Sequence, residues 1–190
     1  MIVLQKKNII SISGDLASGK GAVSEILMEK LGHSIYRNGE YFRKLAKEYD
    51  MDLSEFTKYV EEHPEIDIEI ENSAKKHAET HDNFIIDARL GWYAVPESFK
   101  VYLKVHIDEA AKRAFNDEKR KDLENYSSID EHKQALIERT NSENERYLNL
   151  YGVDRTDMNN YDLVVDTTDK TPDEVASIII TQYENWKKDS

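Results

Sequence analysis

Gly14-Asp15-Leu16-Ala17-Ser18-Gly19-Lys20-Gly21 is the stretch whose reading decides the fold. It follows an apolar run, Ile9-Ile10-Ser11-Ile12-Ser13, and precedes Val23, Ile26, Leu27 and Leu31, which recur at helical spacing. Strand, glycine-rich turn and helix in that order are the context in which G-x-x-x-x-G-K cradles a phosphate. Glycines let the backbone coil tightly, so successive N–H groups converge on one concavity. The positive end of the helix opening near Lys20 favours an anion there, and the lysine reaches the outer phosphates as a point charge. The competing reading, a glycine turn with a solvated lysine, explains neither flank. One departure stands out. Gly21 and Ala22 follow the lysine, so neither position offers a hydroxyl to a metal or a phosphate. Magnesium would then be held through waters, by Asp87 or Ser18.

Outward from that loop, short apolar runs alternate with helical patterns. Ser34-Ile35-Tyr36, Phe84-Ile85-Ile86, Val101-Tyr102-Leu103-Lys104-Val105 and Leu163-Val164-Val165 read as four further strands, and Gly32 stops the first helix. Asp108 reads as the N-cap of a helix from Glu109. Ser128-Ile129-Asp130-Glu131 and Thr171-Pro172-Asp173-Glu174 have capping-box spacing, and the second opens a last helix through Val175, Ile178, Ile179 and Tyr183. From Gly39 to about Thr80 the pattern is helical, broken at Asp50-Met51-Asp52 and His63-Pro64, with Leu45, Phe56, Tyr59, Ile66 and Ile70 facing inward. This alternation predicts an α/β fold, a three-layer α/β/α domain on a five-stranded parallel sheet. One domain accounts for all 190 residues, with its core at about 1–38, 81–112 and 153–190. Two polar helical insertions, about 39–80 and 113–152, then flank the carboxyl edge of the sheet, where a ligand should bind.

Composition narrows the partners. Lys and Arg number 26 against 38 Asp and Glu, a net charge of −12. A nucleic acid or an anionic membrane is repelled by that field, so neither is an expected partner. A small phosphate ligand differs, because local N–H groups and a few arginines outweigh distant acids. The lack of cysteine excludes disulfides, thiolate nucleophiles and Cys-ligated zinc, and fits a cytoplasmic location. No signal peptide is expected before the first strand, and no apolar run approaches a membrane span. The six histidines fall at no metal-binding spacing, and no N-K-x-D motif supports a guanine-reading switch. A monomer is the default expectation.

Several charged groups fall near the predicted sheet edge. Asp87 ends an apolar strand, where it either faces the hydration shell of Mg²⁺ or serves as an N-cap or a partner of Arg89. Arg89 points the same way if the chain stays extended. Arg43 lies a turn or so after Gly39, as a site residue or as a surface partner of Glu40 or Glu48. Arg139 and Arg146, seven apart, share one helix face, either salt-bridged and solvated or forming a lid over phosphate. Arg113 and Arg120 are weaker candidates of that kind. Trp92 and Tyr93 read as core packing rather than a stacking shelf.

In order along the chain, these segments resemble the cytidylate kinase family, in particular the short archaeal-type branch of the P-loop nucleoside monophosphate kinases. The resemblance rests on Gly14 to Gly21, Gly39 to Ala46, His63-Pro64-Glu65-Ile66-Asp67, Asp87-Ala88-Arg89-Leu90, Glu138 to Asp154, and Tyr161 to Thr167. It implies reversible transfer of phosphate from ATP to CMP or dCMP, with Mg²⁺ as cofactor. It assigns Gly14, Asp15, Leu16, Ala17, Ser18, Gly19, Lys20, Gly21 and Ala22 to ATP, and Arg43, Asp87 and Arg89 to the acceptor. It gives Lys20, Arg139 and Arg146 catalytic roles, with the insertions binding the monophosphate and closing as a lid. Ala17, Ala22 and Ala88 depart from the family pattern. A kinase of another small phosphate or hydroxyl acceptor, or a nucleotide-binding protein of weak turnover, are the alternatives.

Overall fold

A computed structural model describes residues 8–117 and 126–188, apart from the side chains of Leu53 and Ser54. Arg120 therefore lies outside the described residues. Strand β1 (Ile9–Gly14) is buried along its whole length, as a central parallel strand covered on both faces must be. β3 (Phe84–Asp87) and then β2 (Ser34–Arg37) lie on one side of it, β4 (Phe99–Lys104) and then β5 (Leu163–Asp166) on the other. All four pairings are parallel. Because β2 lies beyond β3, strand order reverses beside β1, and the crevice for a ligand opens at its carboxyl end, at Gly14. Register sets Asp87 level with Ile12 on one side and with Arg37 on the other.

Helices α1 (Lys20–Leu31) and α8 (Pro172–Lys188) cover one face, packing Val23, Leu27, Val175, Ile179 and Tyr183 onto Ile10, Ile12, Val101 and Val165. α4 (Pro64–Thr80) and the short α5 (Gly91–Ala94) cover the other, with Ala74 and Ala78 against Ile9, Phe84 and Ile86. α2 (Asn38–Glu48) and α3 (Leu53–Glu62) build a separate small core on α4 from Leu45, Phe56, Val60, Ile66 and Ile70. α6 (Ile107–Asn116) meets α7 (Ile129–Tyr151) through Ala110, Ala111, Ala114 and Leu136. Ser128 Oγ accepts from Glu131 N at 3.1 Å and Thr171 Oγ1 from Glu174 N at 3.3 Å; the second box closes with Thr171 N donating to Glu174, whereas Glu131 accepts from Ser127 N, one residue before the cap.

Some local expectations are corrected. α6 is capped by His106, whose Nδ1 accepts from Asp108 N at 3.4 Å, so Asp108 is already helical. β4 starts two residues before Val101, because Phe99 and Lys100 still pair with Ile10 and Ser11. Arg113 donates to the Thr167 and Thr168 carbonyls at 2.7 and 3.0 Å, which ties α6 to the end of β5. α7 is one 23-residue helix with His132, Leu136 and Tyr147 buried. Trp92 is core, edge-on to Tyr161 at 5.4 Å, whereas Tyr93 is exposed. Among the described residues no helix is long and apolar enough to cross a membrane.

Candidate active site

The loop after β1 is held from behind. Asp15 accepts from Tyr102 Oη at 2.6 Å and from Val105 N at 3.0 Å, while Asp15 N donates to Leu103 O. Its carboxylate is therefore a clamp on β4. Leu16 is buried against α6, and Ser18 is 2% exposed with its hydroxyl buried and without a partner. A Cβ on Gly14 would lie 2.6 Å from Leu103 O, so only glycine permits this approach of loop to strand. Ala17 and Gly19 both have positive φ, 59° and 85°. Ala17 thus stores about 1–2 kcal/mol of strain that a glycine would avoid. Gly19 precedes α1 without any side-chain cap, which leaves the first N–H groups of the helix suited to an anion.

Beside the loop lies a cleft of about 430 Å³. Lys20 from α1, Arg43 from α2, Asp87 ending β3, Arg89 just after it, and Arg139 and Arg146 from α7 all line it. The sequence-predicted charged residues are thus brought together, and α7's seven-residue spacing turns both arginines to one cavity. With Arg37, six cationic side chains and four carboxylates line the cleft, a local excess of positive charge in a chain of net −12.

Lys20, Asp87, Arg89 and Glu143 are buried in pairs. Lys20 Nζ contacts Asp87 Oδ1, and Arg37 Nε stands 3.8 Å from Asp87 Oδ2. Burial first, and then the Arg89 and Arg37 guanidiniums, pull the Lys20 ammonium down to about 7, with the Glu143 carboxylate opposing them. Arg89 and Arg139 donate to the two oxygens of Glu143, at 2.9 and 3.1 Å. Burial opposes ionisation of Glu143, yet these guanidiniums hold its carboxyl below the usual range. Ser13 Oγ donates to the carbonyls of Ala88 and Arg89, fixing the backbone that carries Arg89. Arg146 lies over the Tyr147 ring, 3.9 Å from Asp67 Oδ1, with its Nε buried and without a partner. Arg43 is exposed at the rim, and the acids expected to pair with it are taken by Arg37 and Lys44.

Several site residues were not singled out by sequence. Arg37 follows the second strand as Asp87 follows the third, so the same edge argument could have found it. Glu143 is one i+4 acid on a charged helix and carries no distinguishing signal. Asn38, Asp67 and Glu71 line the cleft from α2 and α4. Arg155, 1% exposed, donates to Gly14 O at 3.3 Å and to Asn144 Oδ1 at 2.6 Å, joining the loop to α7.

A magnesium ion finds few donors here. The Ser18 hydroxyl is buried, and no group of three or more acids or histidines suited to a metal occurs among the described residues. Asp87 does face the cleft. A single carboxylate fits a cation held through its waters and does not fit direct ligation.

Residues 9–169 match the cytidylate kinase-like family. A protein of Thermoplasma volcanium named cytidylate kinase is 38% identical over 184 residues, covering 94% of this chain and 93% of its own. A protein of Lacinutrix mariniflava named S-adenosylmethionine-dependent nucleotide dehydratase is 35% identical over 94% of this chain, which corresponds to 36% of that protein. Among solved structures, shikimate kinase from Bacteroides thetaiotaomicron superposes with a TM-score of 0.65 at 13% identity, covering 93% of this chain and 98% of its own, a likeness of fold. The chain belongs to the cytidylate kinase-like family.

Proposed function

We propose that this member of the cytidylate kinase-like family transfers the γ-phosphoryl group of ATP to a nucleoside monophosphate, most readily CMP or dCMP, giving ADP and CDP or dCDP. One observation carries the reading. A lysine at an uncapped phosphate loop and a set of arginines held by exchangeable carboxylates share a single cleft at the reversal point of a parallel sheet. The family membership and the relatives named cytidylate kinase support the acceptor.

An oxygen of the acceptor's phosphate attacks the γ-phosphorus while the bond to the ADP oxygen breaks, so no protein nucleophile is needed. The chain positions the two phosphates and offsets their charge. The loop N–H groups and Lys20 hold the ATP phosphates, and Arg43 and Arg89 hold the acceptor's phosphate. Arg139 and Arg146 reach the transferring group from α7, which closes as a lid when ligand phosphate replaces Glu143 and Asp67 as their partners. Helices α2 to α4 form the monophosphate site. Asp87 would hold Mg²⁺ through its waters, and that ion would supply further charge neutralisation on the phosphates. The substrates are small cytoplasmic nucleotides, and we place the enzyme with them, as a monomer.

ADP formation coupled to NADH oxidation, measured across CMP, dCMP, UMP, AMP and GMP, tests this. Turnover with CMP or dCMP well above the others is expected. No stimulation by any monophosphate would refute it.

A further inference from the structure

The part of the cleft built by α2, α3 and α4 presents acceptors where the phosphate end presents donors. Asp67 and Glu71 lie one turn apart on α4, 6% and 8% exposed, and both line the cavity. Asp67 is engaged by Tyr151 Oη at 3.2 Å and faces Arg146. Glu71 differs, because no cation pairs with it among the described residues. Its Oε2 accepts instead from Asn38 Nδ2 at 3.1 Å. Asn38 is itself nine-tenths buried, lines the same cavity, and leaves its Oδ1 without a partner. Phe42, Val60 and Ile70 line the cavity beside them from three helices. Apolar walls with a few fixed polar groups suit a flat ring recognised by one edge.

We propose that Glu71, with Asn38 and Asp67 beside it, reads the base of the acceptor and selects rings bearing an exocyclic amine over rings with an oxo group in that place. The proposal rests on the phosphoryl-transfer reading and names the residues that choose its substrate. Cytosine offers an amine hydrogen at N4 beside the acceptor N3. Uracil offers the acceptor O4 beside a hydrogen on N3. A carboxyl oxygen at the base edge accepts the N4 hydrogen, but against O4 it leaves two oxygens facing each other, buried and unpaired. Burial, and after it the neighbouring Asp67, lift the Glu71 carboxyl to about 7. The ionised carboxylate, an acceptor at both oxygens, is the form that rejects O4, because the protonated acid can turn its O–H to O4. Adenine has the same amine–nitrogen edge but brings a second ring.

The test compares kcat/KM of the wild-type enzyme for CMP, for UMP, and for the CMP analogue in which the 4-amino group is replaced by hydrogen. CMP should exceed both by roughly 10- to 100-fold. In Glu71→Gln, whose amide can donate to O4, the CMP-to-UMP ratio should fall at least roughly tenfold with the KM for ATP unchanged. An unchanged ratio in the variant overturns the assignment while wild-type turnover of CMP leaves the kinase reading intact. Should the variant not fold, equal use of CMP and the amine-free analogue by the wild type overturns it instead. A wild type that phosphorylates no monophosphate removes both readings.

Discussion

Replacing Glu143 by glutamine should loosen the empty protein and tighten its hold on phosphate, two effects of opposite sign from one carboxylate. Glu143 bridges Arg89 and Arg139, with its own side chain 13% exposed and that of Arg89 21%. Arg139 is half exposed, so its share of the pairing is screened and adds little stability. The Arg89 pair is mostly buried. Glutamine keeps the shape and loses the charge, leaving a desolvated guanidinium short of its counter-ion at a cost of about 2 kcal/mol. For a chain of this size that lowers Tm by roughly 4–8 °C. The same change removes the internal competitor for Arg89, so a phosphate ligand should bind up to about tenfold more tightly. Thermal unfolding of both proteins with and without CMP reads the two effects, because ligand stabilisation grows with [L]/Kd. Equal Tm values would mean that the pair carries no stability. Weaker CMP binding by the variant would mean that Glu143 belongs to the liganded state, and the exchange argument would fail.

Other substitutions separate the roles within the cleft. Lys20→Ala should lower kcat by about 10²–10³, and near-wild-type turnover would contradict its assignment. Arg89→Ala should raise the KM for the monophosphate or lower kcat with ATP affinity kept, and Arg89→Lys should also be costly because an ammonium cannot copy the guanidinium fork. Glu71 makes stability depend on pH: its folded pKa is raised from 4.5 to about 7, so its contribution is fully present below about pH 4.5 and lost as pH rises through about 7. Glu71→Gln, uncharged at every pH, should match wild type in urea unfolding below that window and exceed it by up to about 3 kcal/mol above, whereas a gap constant with pH would rule out a raised pKa.

The sheet and its phosphate loop were legible because each depends on local pattern. Ile9 to Ser13 followed by the glycines specifies a buried strand and the loop after it, and Ser128 and Thr171 both cap their helices as spaced. Asp87 and Arg89 were found because a charge at the end of an apolar strand is conspicuous. The partners of those groups were not. Nothing in Glu-rich α7 marks Glu143 over its neighbouring acids, since its importance comes from tertiary contact with Arg89, 54 residues away. Arg155 likewise sits in a polar loop whose sequence looks solvated, and only the packing of Tyr161 and α7 around it makes it buried. His106 displaced Asp108 as a cap because the helix starts two residues earlier than the acidic pair suggests.

Phosphate should pass from ATP to a monophosphate within this cleft. Phosphorus NMR of the purified chain with equimolar MgATP and CMP tests it most directly. Signals of ADP and CDP should grow together in equal amounts, and Lys20→Ala should abolish both. Growth of ADP with inorganic phosphate and no CDP, or an unchanged mixture, would contradict the account.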